Sequence, residues 1–185
     1  MRWAIVAHPD DEIIFAGGAI LSHADESWTV VVATHPEGSM RVGESLKACA
    51  QLRSLGVDVS YRFLGHADEL PNPTGGIDLR LLLAQLARLD LKPGERVYTH
   101  GLQGEYGHPG HKAVNWAVCE VMGFTASVSV FSGGCKMMEQ IAGPKLLRQK
   151  ARLFSQCYPS QQGVWAGFSS MMTKLMSAES HAALF

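Results

Sequence analysis

The chain has 185 residues, of which 46% are hydrophobic and 18% charged, which excludes a disordered or fibrous protein and fits one domain around one core. Its 16 Lys and Arg against 17 Asp and Glu leave a net charge of -1. No broad field then steers the chain toward nucleic acid or an anionic membrane, and neither is expected as a partner.

No apolar run reaches the ~18 residues that span a bilayer. The N-terminal run is interrupted by His8, Asp10, Asp11 and Glu12 before it could serve as a signal segment. Cys49, Cys119, Cys135 and Cys157 show no C-x-x-C spacing, and three of them sit among apolar neighbours. They read as free core thiols in a reducing compartment, so the expected location is the cytoplasm.

In chain order, runs rich in Val, Ile, Tyr and Phe at 2–8, 28–35, 60–65, 96–101 and 126–134 predict buried strands. Helical patterns fall between and after them at 11–23, 41–55, 77–90, 111–122 and from Pro144 to about Phe154. In the fourth helix Ala113, Val114, Ala117, Val118, Val121 and Met122 share a stripe, with Lys112, Asn115 and Glu120 off it, as a helix lying on a sheet requires. Strands alternating with helices predict an α/β fold: one domain over 1–185, a Rossmann-like three-layer sandwich with a mostly parallel sheet. Ligands of such sheets bind beyond the carboxyl ends of the strands, which directs attention to the loops after the first four.

The loop after the first strand reads AHPDDE at 7–12. It carries no G-x-G-x-x-G, and acids there would repel a phosphate. The Walker pattern and G-x-S-x-G are absent as well. Asp10 and Asp11 could simply cap a helix, and His8 alone could be a structural histidine. His8 and Asp11, however, flank a strand-to-helix corner where their side chains can converge while Asp10 stays free. Beyond the fourth strand, GEYGHPGH at 104–111 places His108 and His111 three apart at a helix start, where they can face one way. Together the two loops offer two histidines and a carboxylate, the ligand set of a catalytic zinc site with its fourth position open.

AHPDDE followed by YGHPGH resembles the PIG-L/LmbE family of zinc-dependent N-acetyl sugar deacetylases. Arg41 and Glu44 (R-x-x-E), LGHAD at 64–68 and YPSQ at 158–161 have counterparts in it, so the resemblance covers nearly the whole chain. It implies that His8, Asp11 and His111 bind Zn2+, with iron(II) or another divalent ion as the alternative. It further implies that Asp10 is the general base, that His108 is the second catalytic group and protonates the departing amine, and that Tyr106 stabilises the transition state. Arg41 and Asp68 match substrate-contacting positions. The plain readings are a solvated helix start for Arg41, a loop cap for Asp68 and packing for Tyr106. The remaining histidines read as structural or surface residues, with His35 and His100 placed to line the pocket.

Two features depart from the family pattern. Gly110 stands where H-P-D-H has Asp, which alters the protonation of His108. The chain is also short after YPSQ compared with many relatives, and the expectation is that part of the substrate wall is missing or supplied by a second subunit of a homo-oligomer. The Met-rich stretch at 169–176 reads as packing or subunit contact. The expected activity is removal of an N-acetyl group from an amino sugar or its glycoside, a small-molecule substrate. The alternatives are an amidase acting on a thiol-sugar conjugate or a non-sugar amide, and a metal- or ligand-binding module without turnover.

Overall fold

Strand β1, Arg2–Val6, shows how the sheet divides its side chains. Successive residues of a strand point to opposite faces. Ala4 and Val6 accordingly enter one buried cluster with Val30, Val32, Leu52 and Phe154, while Trp3 and Ile5 enter a second with Val31, Val97, Leu82 and Val118. Apolar residues at consecutive positions are what a strand covered on both faces needs. The computed structural model describes residues 1–123, 128–131, 144–163 and 181–183. Cys135 and the Met-rich 169–176 stretch lie outside them, whereas Cys49, Cys119 and Cys157 are buried free thiols.

With β2 (Trp28–Thr34), β3 (Val59–His66), β4 (Arg96–Thr99), β5 (Val128–Phe131) and β6 (His181–Ala183), the sheet has the order β3-β2-β1-β4-β5-β6. The first five strands are parallel, and β6 is antiparallel to β5. The expected α/β architecture with a mostly parallel sheet is therefore observed. Among the described residues, no helix is long and apolar enough to cross a membrane.

Helices α1 (Asp11–Ile14), α2 (Gly17–Ser22), α3 (Met40–Ser54) and α7 (Pro144–Cys157) accompany the first cluster; α4 (Leu79–Leu86) and α6 (Pro109–Met122) accompany the second. The single helix expected at 11–23 is divided at Phe15 and Ala16, between α1 and α2. A short turn, α5 at Gly104–Gly107, breaks at Glu105, whose φ is 55°. Asn115, expected off the stripe of α6, is buried, because its Nδ2 donates to the carbonyl of His100 at 2.7 Å.

The strand order reverses direction between β1 and β4. That is the switch point at which an open α/β sheet leaves a crevice beyond its carboxyl ends. The loops carrying His8 and His108 lie side by side there.

Candidate metal centre

Three donor atoms from the two loops meet at the switch point. His8 Nδ1 lies 3.1 Å from Asp11 Oδ2 and 3.2 Å from His111 Nε2, and Asp11 Oδ2 lies 3.4 Å from His111 Nε2. A tetrahedral ion with bonds of ~2.0–2.1 Å has its ligand atoms about 3.3 Å apart. The triangle formed by these donors fits such an ion, and two imidazoles with one carboxylate suit zinc or iron(II).

Each atom of the triangle is oriented from behind. The Asp11 carboxylate accepts the His8 amide at 2.8 Å. Burial works against its charge, but His111 and His100 hold its pKa well below the usual carboxylate range. Glu105 Oε2 accepts from His111 Nδ1 at 2.6 Å, which leaves the Nε2 lone pair facing the triangle, the arrangement by which a carboxylate fixes a metal-binding histidine. Asp68 stands behind His8, with Oδ1 3.4 Å from Nε2, and its other oxygen lies 3.3 Å from His35 Nε2. His35 and His8 hold the Asp68 carboxyl well below its ordinary pKa.

His100, read from sequence as a strand-end residue near the pocket, is fully buried and stacked on His111 with ring centroids 3.9 Å apart. Its Nε2 lies 3.3 Å from Asp11 Oδ2, so Asp11, His100 and His111 form a second donor group, as do His8, His108 and His111. Burial disfavours a charge on His100, while Glu105 and Asp11 favour one. The Ala7 N–H, however, donates to His100 Nε2 at 2.9 Å, which requires a lone pair there. The backbone fixes that amide, so we assign a neutral ring whose Nδ1–H is donated to Glu105 at 3.0 Å. His100 is thereby occupied on both nitrogens and ranks behind His8 as a ligand.

Asp10 holds the N-cap position of α1 with φ 124°, but its carboxylate makes no capping hydrogen bond. Its carboxylate turns to Arg41 Nη2 at 3.2 Å, and the same nitrogen donates to the Pro9 carbonyl. Burial and the neighbouring Asp11 push the Asp10 pKa well above the carboxylate range, with Arg41 opposing. Tyr106, about half exposed, sets its ring edge-on to His108 and His111, with centroids 5.8 and 5.3 Å away.

His108 ends the turn α5 and caps α6 by accepting the Gly110 amide at Nδ1, 3.2 Å away. Burial together with the neighbouring His8 and His111 lowers its pKa to about 4, which favours the neutral ring, and the Gly110 amide on Nδ1 leaves Nε2 to carry its proton. A Cβ on Gly110 would lie 3.3 Å from His8 Nε2 and 3.4 Å from His108 Nδ1, so a carboxylate there would bear on both rings. Gly110→Asp is accordingly expected to raise the His108 pKa, because a nearby negative charge favours imidazolium. NMR titration of the ring checks this, and an unchanged midpoint would contradict it. Gly75, at φ 66°, backs onto the same residue: a Cβ there would come within 2.8 Å of the Gly110 nitrogen. Only glycine permits that approach of the loop carrying Asp68.

The structure thus brings His8, Asp10, Asp11, Arg41, Asp68, Tyr106, His108 and His111 to one crevice. Sequence reasoning passed over Glu105, whose available signal was an acid three residues before His108 in a glycine-bounded turn.

A model of the PIG-L family, GlcNAc-PI de-N-acetylase, matches residues 3–122. The 1D-myo-inositol 2-acetamido-2-deoxy-alpha-D-glucopyranoside deacetylase 2 of Frankia alni is 32% identical over 139 residues, 57% of this chain and 47% of that protein. The chain therefore spans about half the length of that curated relative. Among solved structures, the N,N'-diacetylchitobiose deacetylase of Pyrococcus horikoshii superposes with a TM-score of 0.69 at 16% identity, covering 98% of this chain and 81% of that one. The 4-carboxy-2-hydroxymuconate hydratase of Pseudomonas putida KT2440 gives 0.60 at 19% identity, covering 95% and 84%. A deacetylase and a hydratase share this fold, so the architecture alone does not select the reaction. The family match, extending from β1 through α6 and over both loops of the triangle, shows that the chain belongs to the PIG-L family.

Proposed function

We propose that the chain is a metal-dependent hydrolase that removes the N-acetyl group from an amino sugar or its glycoside, in the cytoplasm. The observation that carries this reading is the triangle of His8 Nδ1, Asp11 Oδ2 and His111 Nε2 beside a buried carboxylate, Asp10, that neither caps a helix nor joins the triangle. The family match and the name of the Frankia relative support the substrate class. His8, Asp11 and His111 would hold the ion, with zinc the first candidate. The chemistry it supplies when bound is polarisation of the acyl carbonyl and acidification of water.

Asp10 takes the proton of the attacking water, and its raised pKa lets it keep that proton until the C–N bond breaks. The amine departs only when protonated, so Asp10 returns the proton to the nitrogen. His108 accepts the Gly110 amide at Nδ1, so the proton of its neutral ring sits on Nε2, and in this reading it donates that proton's hydrogen bond toward the acyl oxygen, where negative charge develops, in place of the proton transfer to the amine that the family resemblance implies. Tyr106 stands beside it as a second donor. Arg41 orients Asp10, and Asp68, on the loop closing over Gly110, is placed to meet substrate hydroxyls as well as His8.

Glu105→Gln is expected to weaken ion affinity about 10- to 100-fold with the fold intact. Glu105 Oε2 serves His100 and His111 while Oε1 accepts the Gly101 amide at 2.7 Å, so an amide in either orientation opposes donor to donor. Chelator competition measures this, and unchanged affinity would contradict the role. The reaction itself is tested by assaying ion-reconstituted protein against N-acetylated sugars and their glycosides. Acetate release that chelation stops and added ion restores is expected; no acetate from any of them with the ion bound would overturn the reading.

A further inference from the structure

Among the described residues, the non-glycine positions with positive φ are Asp10 at 124°, His35 at 66° and Glu105 at 55°, each in the segment that follows β1, β2 or β4. Such a backbone is strained and persists only where its surroundings enforce it. At Asp10 the enforcement is visible. Its carbonyl accepts the amides of Ile13 and Ile14, each at 2.9 Å, and its own amide donates to Glu12 Oε2 at 2.9 Å.

Glu12 is fully buried and takes no part in the chemistry above. Its Oε1 accepts from the Ser45 hydroxyl at 3.1 Å and from the hydroxyl of Tyr158, which is itself buried. The adjoining Ser160 donates its amide and hydroxyl to Glu44 at 2.9 and 2.6 Å. The R-x-x-E and YPSQ segments therefore meet each other. One tie runs from Tyr158 through Glu12 to the Asp10 amide; another, from α3 through Arg41, reaches the Asp10 carboxylate. Both act on one residue.

We propose that Glu12 is a positioning residue for Asp10: held by Tyr158 and Ser45, its carboxylate fixes the Asp10 amide and so keeps the strained backbone that turns the Asp10 side chain away from the metal ligands and toward Arg41. This rests on the reading of Asp10 as the proton-transfer group. Glu12 acts through Asp10 alone, so its effect vanishes once Asp10 can no longer accept a proton.

The test is a double-mutant cycle on ion-loaded protein, with kcat, KM and ion content measured for Glu12→Met, Asp10→Asn and the pair. Glu12→Met is expected to lower kcat about ten- to hundred-fold, the scale of a small misplacement of a reacting group, with KM and ion content unchanged and with no further loss in the Asp10→Asn background. Glu12→Gln, whose carbonyl can still accept the Asp10 amide, is expected to restore most of the rate. An equal loss from Glu12→Met in both backgrounds, or a Glu12→Gln protein as impaired as Glu12→Met, would overturn the proposal. Should Glu12→Met fail to fold, Tyr158→Phe carries the same cycle with the same criteria. An Asp10→Asn protein with full activity would instead remove the underlying reading of Asp10.

Discussion

Asp10→Asn is expected to lower kcat for N-acetyl hydrolysis by roughly 10²- to 10⁴-fold, the range for loss of a general acid or base, while the ion stays bound. Asn caps helices nearly as well as Asp, so a capping role would leave the variant near wild type. The geometry opposes that role, since Asp10 makes no side-chain capping bond and sits at φ 124°. Its carboxylate faces Arg41 at 3.2 Å, and Asn can keep that contact through its oxygen but cannot accept a proton. Acetate release and ion content measured on one sample decide the matter. Full activity would refute the proton-transfer role, and a lost ion would make Asp10 a ligand.

The second large effect is at His8. His8→Ala is expected to abolish binding of the single ion per chain and, with it, activity, because two of the three edges of the donor triangle end on His8 Nδ1. His100→Gln serves as the contrast. His100 also lies within reach of Asp11 and His111, yet its Nε2 is taken by the Ala7 amide, an interaction that a Gln carbonyl can accept. That variant is expected to keep one ion. Elemental analysis of both proteins checks the pair, and loss of the ion in His100→Gln with retention in His8→Ala would move the centre to the second donor group.

Legibility in the sequence followed how local each cause was. The parallel sheet could be read because strands covered on both faces are predominantly apolar, as the Val30–Ala33 run of the wholly buried β2 is, and because helical periods recur between them. His8 and Asp11 at a strand end, and His108 and His111 at a helix start, could be read because each pair lies within one turn of chain. Glu105 could not. Its function needs a backbone at φ 55° and a fold that sets His100 against His111, neither of which a lone acid in a glycine-rich loop announces. Glu12 looked like one more charge in an acidic run, although it points away from the triangle toward Tyr158, which lies 146 residues further along the chain. Asn115 looked like a polar residue off an apolar stripe, until the residue just beyond β4, His100, supplied the carbonyl that it binds.

The central claim is the position of the ion, and X-ray diffraction at the absorption edge of a bound divalent metal tests it most directly. We expect one anomalous peak per chain, with His8 Nδ1, Asp11 Oδ2 and His111 Nε2 each about 2.0–2.2 Å away and with His100 and Glu105 outside its coordination. A peak bound by His100, or no peak in protein equilibrated with excess metal, would contradict the account.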